Sequence, residues 1–401
     1  MISTEKSSEG VYFLSLSLEN VRCFAEKQTL DLSDGNGRPA QWTVILGDNG
    51  TGKTTLLECM NVFYTNVNKL RRYDNLNILI NLIVAYDNVL QNKQKKFQKI
   101  PIASSLHHNG FLGPNGLSEK LKIYSYSATR RISRVETKLD YDELINAEKW
   151  LLDTDYIANK PSEIQEKYKN LLEIVKNTLI NLLPDVSDIR ISVPTEQAPN
   201  PRAEFKTNDG WLLLNQLSLG YQTMTAWIVD LAAQLFRDYP NSPNPIVEPA
   251  VVLIDEIDLH LHPKWQRTIM SYLSERFINT QFIVTAHSPL IVQAAENANI
   301  VVLKREANGV VIKKQPEDVH GWRVDQLLTS DLFNLSSARS PHYENLLQQR
   351  RDILSKAELN NEDKEKLKVL ETEMGYLPTA ETAEDIKAMD IIRRAAQLLK
   401  Q

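Results

Sequence analysis

With 401 residues, 42% hydrophobic and 24% charged, the chain has the makeup of a soluble globular protein long enough for one large or two ordinary domains. No apolar run reaches membrane-spanning length, and the polar start MISTEKSSEG has no stretch fit for export, so the expected location is the cytoplasm. The net charge of -5 argues against a general nucleic-acid coat, and two cysteines, Cys23 and Cys59, are too few for a disulfide framework or a structural zinc site.

In chain order, Val11 to Val21 alternates apolar and polar residues, which predicts a half-buried strand, with Thr29 to Leu32 as its hairpin partner. The turn-rich Ser33 to Pro39 leads to a buried strand, Trp42 to Leu46, and then to GDNGTGKT, Gly47 to Thr54. Thr55, Leu56, Leu57 and Glu58 open a helix, so the glycine-rich segment stands where a strand hands over to a helix. That context makes a phosphate cradle. Gly47, Gly50 and Gly52 permit turns closed to side chains, and the backbone N–H groups along Asp48, Asn49, Gly50, Thr51, Gly52 and Lys53, with the helix start at Thr54 and Thr55, wrap a β-phosphate. Lys53 reaches the β- and γ-phosphates, and the Thr54 hydroxyl is placed to ligate Mg²⁺.

From Glu58 to about Leu90 the spacing of Leu76, Leu79, Leu82, Ile83, Tyr86 and Leu90 predicts a helix. It ends in Lys93, Lys95, Lys96 and Lys99 with Phe97 among them, read as a solvated helix end or loop in preference to a nucleic-acid contact. Pro101 to Gly116 reads as a mobile loop. Leu121 to Ala128 is a short strand, and beyond it Arg130, Arg131 and Arg134 suit phosphate, nucleic acid or a partner's carboxylates equally with plain surface ion pairs. Asp142 to Leu152 and Ser162 to Leu183 are amphipathic helices without sustained heptads, followed by strands at Ile189 to Val193, Ala203 to Lys206 and Trp211 to Leu214, with a turn at Asp209 and Gly210.

LSLGYQ, Leu217 to Gln222, precedes an apolar helix from Thr223 to Phe236; Ser218 and Gly220 are the residues that an anion-binding helix tip would use there. Val251 to Ile254 predicts a central parallel strand ending in Asp255 and Glu256. Ligands bind at the carboxyl ends of such strands, so Asp255 is expected to hold Mg²⁺ through water and Glu256 to act as general base. His260 and His262 alternate with leucines; a lone HxH has too few ligands for zinc, and a loop packing at a subunit junction is the preferred reading. Lys264 to Phe277 predicts a helix and Gln281 to Thr285 a strand beside that of Asp255, so His287 is placed to hydrogen-bond the γ-phosphate.

GDNGTGKT, LSLGYQ, LIDEIDLHLHP and VTAHSP, in this order, resemble the ABC-type ATPase heads of the RecF, RecN and SMC group, and the wording DEIDLHLHP is similar to the overcoming-lysogenization-defect class. The resemblance covers Val11 to about Leu303. It implies an α/β fold, a P-loop ABC-type ATPase head with a mixed central sheet, an antiparallel β subdomain, a helical insertion and a helical C-terminal tail. It implies also that ATP and Mg²⁺ are bound by Lys53, Thr54 and Asp255, that Glu256 supports hydrolysis, that His287 is the switch histidine, and that Ser218 and Gly220 complete the site of a second copy in a dimer. Departures are the lack of a clear glutamine loop, of long coiled-coil arms with a zinc hook, and of a carboxylate set for a nuclease in the hundred or so residues after Val301.

Those residues read as charged helices, Arg323 to Leu328, Tyr343 to Lys356, Asn361 to Met374 and Glu384 to Leu399, with Gly375 as a cap and an apolar stripe of Ile386, Met389, Ile392, Ala396 and Leu399. The tail, SARSPHYENLLQQRR onward, resembles Septu-type defence ATPases, which are coupled to a separate HNH nuclease. The expected organisation is 1–60 as the lobe with the phosphate loop, 61–185 as a mainly helical insertion, 186–320 as the lobe with signature and Walker B carboxylates, and 321–401 as a region that binds the nuclease partner. The expected function is an ATP-hydrolysing sensor of an antiphage system; a RecF-like DNA-repair ATPase and an ATP-locked scaffold are the alternatives.

Overall fold

The computed structural model describes residues 10–65, 79–89, 95–105, 120–128, 131–132, 143–196, 199–315, 319, 321–356 and 360–374. They fall into two compact units, Met1–Phe333 and Asn334–Gln401.

In the first unit the chain opens with β1 (Val11–Glu19), β2 (Gln28–Asp31) and β3 (Trp42–Gly47), and after the phosphate loop α1 (Lys53–Thr65). Next come β4 (Leu79–Val89), β5 (Lys95–Ser105), β6 (Ile123–Tyr126), the two-residue pair β7 (Arg131–Ile132) and β8 (Glu143–Leu144), and the helices α2 (Ala147–Ala158) and α3 (Gln165–Leu182). A meander β9 (Asp188–Ile191), β10 (Ala203–Thr207) and β11 (Gly210–Leu213) leads to the long helix α4 (Leu219–Asp238). The unit closes with β12 (Ala250–Ile254), α5 (Pro263–Gln266), α6 (Ile269–Arg276), β13 (Thr280–Thr285), α7 (Pro289–Ala294), β14 (Asn299–Glu306), β15 (Gly309–Lys314) and α8 (Val324–Thr329).

Six strands form the central sheet in the order β15-β14-β3-β13-β12-β6, parallel throughout except for β15. Its strands are buried on both faces because their side chains alternate between two apolar clusters. Val44, Val252, Ile254, Phe282 and Val284 face the cluster that holds α2, α3 and α4, including Trp227. Ile45, Val251, Leu253 and Ile283 face the one formed by α1 and β1, with Leu56, Met60, Phe13 and Leu16. Each such side chain contributes about 1.5–3 kcal/mol by burial, which anchors the sheet that carries the site.

The antiparallel sheet has the order β2-β1-β4-β5, which corrects the helix expected from Glu58 to Leu90. The helix ends at Thr65, residues 66–78 lie outside the described residues, and Leu79–Val89 pairs with β1 in a register that sets Leu16 opposite Leu82. Leu79, Leu82, Ile83 and Tyr86 fit a helical spacing, yet Ile80, Leu82, Val84 and Tyr86 fit a period of two equally well. Pairing with a sequence-distant strand decided between them. Lys95, Lys96, Phe97 and Lys99 lie on β5, not at a helix end, and Pro101 sits opposite Ile83 in that outermost strand, where a missing N–H is tolerated. Lys93 and the rest of the expected loop, 106–116, are outside the described residues, as are Arg130 and Arg134.

Other boundaries move for local reasons. The helix expected from Asp142 starts at Ala147, because Asn146 caps it by accepting from the Lys149 N–H at 3.0 Å. Lys264 to Phe277 divides into α5 and α6 at Thr268, and α4 begins at Leu219, ahead of Thr223. Helix α4 is tied to the sheet by a fully buried carboxylate: Asp230 accepts from the Tyr126 hydroxyl at 3.1 Å, the Gln234 amide at 2.5 Å and the Ile145 N–H at 3.2 Å. Burial, reinforced by Asp230, raises the Tyr126 phenol well above its ordinary range, so it stays a donor.

The second unit contains α9 (Pro341–Leu354) and α10 (Asn361–Met374), which pack on each other. Ser340 caps α9, Lys356 pairs with Asp363 at 2.6 Å, and His342 lies 3.3 Å from Glu373. The expected helix from Glu384 to Leu399 and the Gly375 cap lie outside the described residues.

Candidate nucleotide-binding site

The phosphate loop joins β3 to α1 as its flanking residues require. Gly47 and Gly52 have φ of 146° and 90°, and a Cβ at Gly52 would stand 2.5 Å from the Cys23 sulfur and 2.8 Å from the Phe24 ring. Below the loop the Thr51 hydroxyl donates to Asp48 O at 2.8 Å, closing the turn. Asp48, Asn49 and Gly50 are exposed at its rim. The Lys53 ammonium, itself 7% exposed, donates to Gly47 O at 2.7 Å and Asp48 O at 3.0 Å. Burial lowers its pKa, opposed by the fields of Asp255, Glu256, Asp48 and Asp258. Thr55 is buried and accepts from Arg22 at 3.1 Å; Arg22 also pairs with Glu58 at 2.9 Å, fastening the turn after β1 to the start of α1.

The carboxylates arrive from β12. The Thr54 hydroxyl donates to Asp255 Oδ2 at 2.7 Å, and Asp255 N–H donates to Tyr126 O on β6 at 2.8 Å. Glu256 follows in the left-handed region, φ 51°, a conformation costly for a residue with a side chain and met mostly where a site demands it. Thr285, fully buried at the end of β13, holds both acids: its hydroxyl donates to Asp255 Oδ1 at 2.5 Å and accepts from Glu256 N–H at 2.7 Å. Asp258 then accepts from His287 N–H at 3.2 and 3.3 Å through its two oxygens. Thus the β12 and β13 ends are one knitted edge, and His287 projects from it as an exposed residue.

Lys53, Thr54, Asp255 and Glu256 are therefore brought together as expected from their motifs. Ser218 is the exposed N-cap of α4, with no side-chain capping bond, whereas Gly220 is buried: a Cβ there would meet His260 O at 2.5 Å. His260 turns the chain with φ 64°, His262 Nδ1 accepts from Lys264 N–H at 3.3 Å, and no group of three or more His, Cys, Asp or Glu able to hold a metal occurs among the described residues. Mg²⁺ held with a nucleotide is a different case. Thr54 and Asp255 present two hard oxygens 2.7 Å apart at a helix start, which fits an ion that takes one or two protein oxygens beside phosphate and water.

Thr285, Arg22 and Arg305 went unnoticed in the sequence. Thr285 could have been found as the last residue of a strand expected beside Asp255; the other two carry no motif. Arg305, on β14, donates to Gly50 O at 2.8 Å.

A phosphate loop after one buried parallel strand, with carboxylates at the end of another in the same sheet, defines a P-loop nucleotide-binding fold of the α/β class. The chain belongs to the family described as "AAA domain, putative AbiEii toxin, Type IV TA system", which matches residues 88–293, just over half of it. The family described as "AAA ATPase domain" matches residues 13–149. The chain is 37% identical over 198 residues to the "Retron Ec83 probable ATPase" of Escherichia coli, covering 49% of this chain and 34% of that protein. It is 24% identical over 395 residues to the "Septu protein PtuA" of Bacillus mycoides (strain KBAB4), covering 93% of this chain and 52% of that protein. It therefore spans about a third and a half of the lengths of these two relatives. Among solved structures, the "SMC head domain from Thermotoga maritima" superposes with a TM-score of 0.43 at 13% identity, covering 76% of this chain and 99% of that one.

Proposed function

We propose that this chain is an ATP-binding and ATP-hydrolysing regulatory subunit of an antiphage defence system, which pairs with a second copy around ATP and controls a separate HNH-type nuclease. The observation that carries the nucleotide part is the Thr54 to Asp255 hydrogen bond of 2.7 Å, which joins phosphate loop and acidic strand end at one point. The defence part is supported by the names of the relatives, Septu protein PtuA and retron ATPases, and by the likeness of the tail to Septu-type ATPases.

In this reading the loop N–H groups and Lys53 hold the β- and γ-phosphates, Lys53 exchanging its two carbonyl bonds for phosphate oxygens. Thr54 and Asp255 would hold Mg²⁺, which neutralises phosphate charge during transfer. Glu256 accepts the proton of the attacking water at its carboxylate, and His287 hydrogen-bonds the γ-phosphate. Ser218 and Gly220 serve the opposite copy. The exposed tip of α4 beside the 54% exposed Leu219 is open to such a contact. Residues 1–60 carry the phosphate loop, 61–185 supply β4 and β5 of the antiparallel sheet, β6 of the central sheet and the helices α2 and α3, 186–320 carry the signature and the acidic strand end, and 321–401 binds the nuclease. No described helix is long and apolar enough to cross a membrane, and action in the cytoplasm is part of the proposal.

The test is phosphate release from ATP with Mg²⁺ by the purified chain alone and with its neighbouring HNH protein. Steady release lost in Glu256→Gln, with the HNH protein retained on the wild-type chain and released when residues after Leu335 are removed, is the expected result. Absence of release by wild type, or of any association, overturns the corresponding half.

A further inference from the structure

Strand β14 runs parallel to β3 in a register that sets Leu303 beside Gly47, so it continues past the point where β3 turns into the phosphate loop. Arg305, two residues on, stands over that loop and donates through Nη2 to Gly50 O at 2.8 Å. The other basic residues of the β14–β15 hairpin are neutralised: Lys304 lies 3.6 Å from Asp331, Lys313 2.7 Å from Glu306 and Lys314 3.1 Å from Asp31. Arg305 has no carboxylate partner among the described residues, and it is exposed. A guanidinium offers five N–H donors in a rigid fork, and one of them is spent on Gly50 at the exposed rim of the loop. The fields of Arg305 and Arg22 both reach Cys23, whose sulfur donates to Thr51 O at 3.5 Å inside the same loop, so the charge is felt at the loop itself.

We infer that Arg305 is a second cation of the phosphate site, binding the phosphates of the nucleotide from the β14 side while Lys53 binds them from within the loop. This rests on the nucleotide reading above. Its chemical demand is a polyphosphate, with the base and ribose contributing nothing to the contact. A purely structural role, bracing Gly50 through one hydrogen bond, is the competing account, and charge separates the two. Arg305→Gln keeps a donor for the carbonyl and loses the charge; Arg305→Lys keeps the charge and loses the fork.

Equilibrium binding of ATP and of inorganic tripolyphosphate, each with Mg²⁺ at several salt concentrations, decides the matter. Arg305→Gln is expected to weaken both by about tenfold, the scale of one exposed charge-assisted contact, and to flatten the salt dependence; Arg305→Lys should recover most of the loss. Binding left unchanged in Arg305→Gln overturns the inference and leaves Arg305 as a brace of Gly50; an equal loss in Arg305→Lys also overturns it, because the charge would then contribute nothing. A wild-type chain that binds neither ligand overturns the nucleotide reading and this inference together.

Discussion

The Thr54 hydroxyl rests on Asp255 Oδ2 at 2.7 Å across 201 positions of sequence. One hydrogen bond thus joins the first turn of α1 to the end of β12, and it can form because β13 lies between β12 and β3 with all three strands parallel, so that the ends of β3 and β12 open on the same edge of the sheet. The remaining carboxylate oxygen of Asp255 accepts from Thr285, so the acid is held through both of its oxygens.

Thr285 should accordingly matter for turnover more than for binding. Thr285→Val preserves shape in the fully buried position but leaves Glu256 N–H and Asp255 Oδ1 without their hydroxyl. We expect phosphate release to fall by roughly 10²-fold with ATP affinity changed only a few-fold, and Thr285→Ser to retain most of the rate. Parallel losses in both variants, or a loss confined to affinity, would speak against a role in orienting the acids.

Gly220 is a packing requirement of the fold. In Gly220→Ala the new methyl meets the backbone oxygen of His260 at 2.5 Å and the buried Trp265 ring at 3.6 Å, which leaves little room to give. Thermal unfolding should show a destabilisation of about 1–3 kcal/mol. Leu219→Ser, at an exposed neighbour, should stay within about 0.5 kcal/mol of wild type.

The two thiols should report on different things. Burial pushes Cys59 from an ordinary 9.0 up to about 12, and Cys23, half-buried, is raised also by burial. Because the folded value of Cys59 lies above the unfolded one, its protonated form supports folding fully below pH 9, and that support is lost as pH climbs from 9 toward 12. Alkylation at pH 8 should thus spare Cys59 in the native state and label Cys23 slowly. Since the Cys23 sulfur touches the phosphate loop at Thr51 O, ATP should slow its labelling further; mass spectrometry of the labelled chain with and without nucleotide checks this.

The site was legible where its chemistry is local. The stretch from Trp42 to Leu57 announces strand, loop and helix in consecutive residues, and the short apolar run Val251 to Ile254 suits a strand buried on both faces, as it proves to be. The meander around Asp209 and Gly210 was legible for the same reason, a short-range turn between alternating strands. Leu79–Val89 was not, since its residues satisfy two periods and only pairing with β1 chooses. Thr285 and Arg305 depend on strand register, a relation between distant segments that composition does not encode.

The proposed pairing of two copies around ATP is tested most directly by sedimentation velocity of Glu256→Gln, a change that keeps Lys53, Thr54 and Asp255 and removes the carboxylate proposed as the base. With ATP and Mg²⁺ the proposal predicts the gain of a second copy, reversed when Ser218→Arg blocks the exposed tip of α4. A chain that holds ATP at full occupancy yet sediments as it does without nucleotide would contradict it.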